Sequence, residues 1–68
     1  MNQKKKAVIL YCLTYKGWSN KDFSKVAGIS IPTMDRRMSN PETFSLREIR
    51  IMTDGVPLSP EQLKDLVS

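Results

Sequence analysis

The side chains that could carry chemistry in this chain are mainly cationic. The sequence has no histidine and one cysteine, Cys12, so it lacks the usual general base and the commonest zinc ligand. It also has no glycine loop that could cradle a phosphate, so we expect no enzyme activity, cofactor or metal. Lysine and arginine together number 11 against 7 acidic residues, a formal net charge of +4. A small basic domain favours a polyanionic partner, most often nucleic acid.

The length and composition predict one small domain over residues 1–68. With 68 residues, of which 40% are hydrophobic and 26% charged, the chain resembles an ordinary globular domain. Cys12 lies in an apolar run, which predicts a core position and a reducing compartment. The apolar run after Lys4, Lys5 and Lys6 is too short to cross a bilayer, so we expect a cytoplasmic protein. The three lysines are either a solvated N-terminus or a mobile arm that contacts phosphate.

A repeated local pattern marks four helix starts. In each copy a serine follows one apolar residue, and a second apolar residue stands four positions after the serine. The serines are Ser19, Ser30, Ser45 and Ser59. A serine hydroxyl accepts a hydrogen bond from a first-turn amide, and the flanking apolar pair packs across this cap. Glu48 and Gln62, three residues after their serines, predict capping boxes, and Pro60 suits a first helical position.

These starts and an amphipathic N-terminal segment predict an all-α chain of five helices. The expected bounds are about 3–15, 20–27, 31–39, 46–53 and 60–67. Gly17 and Gly28 end the first two helices, and Asp54-Gly55 ends the fourth. The expected inward stripe of the first helix is Val8, Ile9, Cys12 and Leu13. No stretch alternates with a period of two residues, so no strand is expected.

The second and third helices are joined only by Gly28-Ile29-Ser30, a short glycine-containing turn typical of a helix-turn-helix. Glycine allows the left-handed conformation at the end of the second helix. Ser24, four residues earlier, is small enough to let the helices cross closely, and Met34, six residues later, packs the third helix onto the second. We expect the buried seam to include Phe23, Val26, Ala27 and Ile29.

At these residues the chain resembles a known family. The segment Trp18 to Met38, WSNKDFSKVAGISIPTMDRRM, is similar to the helix, turn and recognition helix of the Cro and lambda-repressor-like (XRE-type) regulators of phages and bacteria. The resemblance continues through NPETFSLREIRIM and implies a compact five-helix lambda-repressor-like domain. Ser24 stands where the family usually has alanine, and Arg37 where it usually has an aliphatic residue. Ser24 fits if its hydroxyl bonds the carbonyl one turn back, whereas Arg37 is either a DNA contact or a structural residue.

The resemblance also implies which side chains face the DNA. The base-reading candidates are Ser30, Ile31, Pro32, Thr33 and Arg36. The candidates for phosphate contact are Asn20, Lys21, Arg37, Ser39 and Asn40. The first residues of a recognition helix meet base edges in the major groove, and Arg36 lies one turn further on, opposite Met34. Arg36 is the strongest candidate for guanine, because a guanidinium can pair with both O6 and N7.

The sequence thus predicts a sequence-specific, Cro-like regulator of transcription, encoded by a phage or prophage. The alternative is a protein-binding modulator or anti-repressor that pairs with a larger repressor, which the apolar Ile31 and Pro32 favour. We also expect a weak homodimer that becomes firm on DNA, because one small unit offers few base contacts. The candidate dimer surface is Leu63, Leu66 and Val67 of the fifth helix; alternatively this face closes the core of the monomer.

Overall fold

Five α-helices account for most of the residues that the structure, a computed structural model, describes, namely 3–67. In chain order they are α1 (Gln3–Lys16), α2 (Asn20–Ala27), α3 (Ile31–Ser39), α4 (Leu46–Thr53) and α5 (Pro60–Val67). A 3₁₀ turn at Pro41–Thr43, which was not predicted, links α3 to α4. Residues 3–67 contain no strand, so the all-α prediction is confirmed. None of these helices is long and apolar enough to span a membrane.

The four predicted serine caps are present. The hydroxyls of Ser19, Ser30, Ser45 and Ser59 each accept a hydrogen bond from the backbone N–H three residues later, at 3.1–3.2 Å. In three of the four starts the side chain at that later position accepts in return from the serine N–H, over 2.8–3.0 Å. The acceptors are Asp22, Glu48 and Gln62. These reciprocal bonds explain why α2, α4 and α5 begin at the predicted residues.

The core is one cluster to which every helix contributes. Its most deeply buried side chains include Ile9, Phe23, Met34 and Met52, from α1, α2, α3 and α4. The helix α1 packs against both α4 and α5, and its predicted stripe Val8, Ile9, Cys12 and Leu13 is buried. Burial raises the pKa of the Cys12 thiol, and nearby Lys16 opposes that rise. Cys12 is therefore a core residue, as its position in the apolar run predicts.

One prediction about the N-terminal half is wrong, and a second holds only in part. Val26 was expected in the buried seam, but its side chain is 50% exposed on the flank of α2 next to α4, whereas Phe23 and Ala27 point into the core. The Lys4 to Lys6 run lies in α1 and is not a mobile arm. Lys4 and Lys6 are exposed, as a solvated N-terminus predicts, whereas Lys5 is buried because it lies on the same stripe as Val8, Ile9 and Cys12.

The face of α5 divides into a buried and an exposed part. Leu66 is only 3% exposed and belongs to the core, where α5 packs on α1. Leu66 therefore closes the core of the monomer and is not part of a dimer surface, because a buried side chain has no area left for a second copy. Leu63 and Val67 remain exposed along the edge of α5.

Candidate nucleic-acid interface

The turn between α2 and α3 fixes the orientation of α3 relative to α2. Gly28 has φ +72°, the left-handed conformation that glycine adopts without a steric penalty, and its N–H donates to the Ser24 carbonyl oxygen. Ser24 is buried, and its hydroxyl donates to the Asn20 carbonyl oxygen over 2.8 Å, one turn back. Met34 is fully buried after the turn. The predicted spacing of serine, glycine and methionine therefore holds two helices against each other.

One side of α3 faces solvent and the other faces the core. Met34 and Met38 point inward, one turn apart. Pro32, Arg36 and Ser39 lie on the opposite side and are exposed, and Ile31 and Asp35 on the flanks are exposed as well. Ile31, at 48%, is among the more exposed large apolar side chains of the described part of the chain. Because two core methionines anchor α3 from behind, its exposed side chains are carried on a rigid support.

Three of the base-reading candidates are joined by hydrogen bonds. The Thr33 hydroxyl oxygen accepts from Ser30 Oγ over 2.8 Å and from Arg36 Nη2 over 3.2 Å. Ser30 Oγ in turn accepts from the Thr33 backbone N–H over 3.2 Å. We call Ser30, Thr33 and Arg36 the α3 polar cluster. Thr33 thus ties the exposed guanidinium of Arg36 back toward the first turn of α3.

Arg37 occupies a different environment from the other candidates. Its Nε lies 2.8 Å from Oε1 of Glu48, with the two side chains 25% and 4% exposed. The Nε–H does not point along this contact, so it is an ion pair rather than a linear hydrogen bond. Nη1 donates to the Thr43 carbonyl oxygen over 3.1 Å. Arg37 therefore links α3 to the start of α4, which supports the structural role over the phosphate contact.

The remaining phosphate candidates are exposed at helix ends. Asn20 and Lys21 open α2, and Ser39 and Asn40 close α3. The Asn40 carbonyl accepts from both the N–H and the hydroxyl of Thr43, which forms the 3₁₀ turn. No hydrogen bond in residues 3–67 joins these four side chains to the α3 polar cluster. They are individually accessible donors rather than parts of one assembled site.

The ion pair between Arg37 and Glu48 is not predicted by the sequence. Glu48 was identified only as a capping residue for α4, and it does accept from the Ser45 N–H over 2.9 Å. The same carboxylate also faces Arg37. The available signal was an arginine in a position where the resembled family has an aliphatic side chain, which indicates a buried partner of opposite charge.

Comparison of the chain with protein-family models, curated proteins and solved structures finds no significant match.

Proposed function

We propose that this protein is a sequence-specific regulator of transcription that binds double-stranded DNA through a helix-turn-helix of the lambda-repressor-like type. In this proposal α2, the Gly28 turn and α3 form the motif, and α3 enters the major groove. The observation that carries it is the α3 polar cluster: an exposed arginine, oriented by Thr33, at the solvent-facing side of a helix anchored by Met34 and Met38.

The geometry of Arg36 suits base recognition. A guanidinium has five N–H donors, and the Thr33 hydroxyl uses one of them. The remaining donors include the pair that recognises O6 and N7 of guanine. Because Thr33 restricts the side chain before binding, less rotamer entropy is lost on contact with DNA. Exposed Ile31 and Pro32 supply apolar surface for a thymine methyl group, and Pro32 lies one turn before Arg36 on the same face.

Positive charge around the motif supports the same proposal. Lys21, Lys25 and Arg36 are exposed on α2 and α3. Asp22, the acidic residue of α2, accepts a hydrogen bond from the Ser19 N–H. In the proposed complex Asn20, Lys21, Ser39 and Asn40 contact phosphates from the two ends of the motif. Such contacts release counterions, so affinity falls steeply as salt rises.

A homodimer completes the proposal. Two copies related by a two-fold axis place their recognition helices about 34 Å apart, in successive major-groove faces. Leu63 and Val67, which are exposed on one edge of α5, are the apolar residues offered for this contact. Their small area fits a dimer that is weak in solution and firm only when both halves are bound to one site.

Selection from random duplex DNA tests the proposal directly. We expect repeated rounds to enrich a two-fold symmetric site whose half-sites are about 10 base pairs apart, with a guanine in each half. Binding to the enriched site should exceed binding to a scrambled duplex of the same composition at every salt concentration. Failure to enrich any sequence over the scrambled duplex would contradict a base-reading function.

A protein-binding modulator is the second candidate. The exposed Ile31 and Pro32 on α3 favour it, because base-reading surfaces carry more hydrogen-bonding side chains. A gel-shift assay with mixed-sequence duplex at low salt separates the two functions. A DNA-binding regulator retains non-specific affinity under these conditions, whereas a modulator that meets only protein shows no shift.

A further inference from the structure

A shallow open groove lies between α2, α4 and the α1–α2 junction. It has a volume of about 470 Å³ and is lined by Lys16, Trp18, Val26, Arg50, Ile51 and Asp54. None of these lining residues belongs to α3, and none belongs to the α3 polar cluster. The groove is therefore a second surface, separate from the one to which the proposed DNA-binding function is assigned.

The floor of the groove is apolar and already formed. Trp18 and Ile51 pack partly buried against the core, and Val26 beside them is 50% exposed. The Trp18 ring lies 6.1 Å from the ring of Phe23, and Lys16 Nζ lies 5.2 Å from the Trp18 ring centroid. A partly exposed tryptophan that packs against a core aromatic ring is the kind of residue that dominates binding energy at protein interfaces. An apolar ligand would lose little of its affinity to ordering this surface.

The rim of the groove is mainly cationic. Lys16 and Arg50 stand beside the apolar floor, with Asp54 as the acidic lining residue. Arg50 makes no ion pair with Asp54, nor with any other carboxylate in residues 3–67. Its exposed guanidinium is thus available to a carboxylate from outside, with which it can form a bidentate pair. The cationic and apolar lining residues together match a ligand that carries both acidic and apolar side chains.

We propose that this groove binds an acidic amphipathic segment of a partner protein. An aromatic or aliphatic side chain of that segment packs on Trp18, Val26 and Ile51, and flanking carboxylates pair with Lys16 and Arg50. An acidic peptide suits this surface better than DNA, because its apolar side chains cover Trp18, Val26 and Ile51, whereas phosphates would leave them exposed to water. The docking leaves α3 free, so the groove gives the protein a protein partner in addition to its proposed DNA site.

The test uses the full chain and a displayed library of helical peptides. The library randomises apolar, acidic and basic residues and omits tryptophan, so that Trp18, which is the one tryptophan of the chain, reports binding by its fluorescence. We expect enrichment of peptides with glutamate or aspartate flanking a large apolar residue. Nuclear magnetic resonance with an enriched peptide should shift the amide signals of the groove residues and leave those of Thr33 and Arg36 unchanged.

Two charge reversals on α4 provide a matched pair. Arg50→Glu places a carboxylate on the rim and should weaken the enriched peptide at least about tenfold, because like charges then face each other. Arg47→Glu makes the same change at an exposed residue of the same helix that does not line the groove, and it should change affinity less than about twofold. Circular dichroism should be unchanged in both variants.

Three outcomes overturn the proposal. Enrichment of neutral or basic peptides would contradict the proposal that the partner segment is acidic. Equal weakening by Arg47→Glu and Arg50→Glu would mean that overall charge, rather than the groove, attracts the peptide. Shifts of the groove amides by a DNA duplex, with none by any enriched peptide, would assign the surface to nucleic acid instead.

Discussion

Arg36 and Arg37 are neighbours in the sequence and differ in almost every structural respect. Successive residues of a helix are about 100° apart, so one side chain can face solvent while the next faces an adjoining helix. Arg36 is exposed and tied to Thr33, whereas Arg37 is mostly covered and paired with Glu48. Each arginine therefore supports a different prediction.

Arg36→Ala should weaken binding to the selected DNA site by about 1–3 kcal/mol, the usual worth of a bidentate base contact. Preference should relax at one base position in each half-site, because only that contact is lost. Circular dichroism and the melting temperature should barely change, since the side chain is exposed. Arg47→Ala serves as the charge-matched control. A base preference that is unaltered at every position would exclude Arg36 from recognition.

Arg37→Ala should instead destabilise the fold by about 1–3 kcal/mol, because it leaves a buried carboxylate on Glu48 without its cation. Glu48→Gln is the informative background, since glutamine removes the charge and still accepts from the Ser45 N–H. In that background Arg37→Ala should lower the free energy of unfolding by less than it does in the wild-type protein. Urea unfolding of the four proteins measures this coupling, and an equal cost in both backgrounds would show that the ion pair contributes nothing.

The α2–α3 turn depends on the backbone conformation of Gly28. A Cβ added there would meet no atom within 4 Å, so a substitution is opposed by the positive φ and not by crowding. Gly28→Val should therefore lower stability by about 1–3 kcal/mol, since a β-branched residue is strained in this region. Gly28→Asn should lower stability much less, because asparagine tolerates the left-handed conformation. Equal melting temperatures for valine and asparagine would contradict this account.

Asp22, in the first turn of α2, makes the stability of the fold depend on pH in the acidic range. The Ser19 N–H and hydroxyl hydrogen-bond to Asp22 and lower the pKa of its carboxyl group, so the folded chain favours the ionised form. The resulting stabilisation is present above the carboxyl's ordinary pKa and is lost as pH falls through the lowered value, below about pH 4. Asp22→Asn should show a shallower loss of melting temperature over that range. Parallel curves of melting temperature against pH for the two proteins would show that Asp22 does not contribute to the acid sensitivity.

The helix α5 packs on the core with one side and is exposed to solvent on the other. Leu66→Ala should destabilise the monomer by about 2–5 kcal/mol, as expected for a truncated core leucine. Leu63→Glu changes the exposed edge and should keep the fold while reducing cooperative binding to the two-fold DNA site. Sedimentation and DNA titration measure the second effect. Wild-type binding by Leu63→Glu would move the dimer contact away from α5.

Local contacts along the chain specify the helices and their ends. Serine caps, reciprocal capping boxes and the glycine after α2 act between residues three to five positions apart, so their partners can be found in the sequence. The bounds of α2 to α5 follow from these contacts. The hydroxyl bond of Ser24 to the Asn20 carbonyl is equally local and was predicted from the residue type.

Long-range packing specifies which neighbour covers each helix face. Helical periodicity places Val26 and Leu66 on apolar flanks, but exposure depends on what packs there. The gap between α2 and α4 leaves Val26 half open, while α1 covers Leu66. The pairing of Arg37 with Glu48 joins residues on two helices across the 3₁₀ turn. Contacts of this kind depend on helix packing in three dimensions, which no local pattern in the sequence specifies.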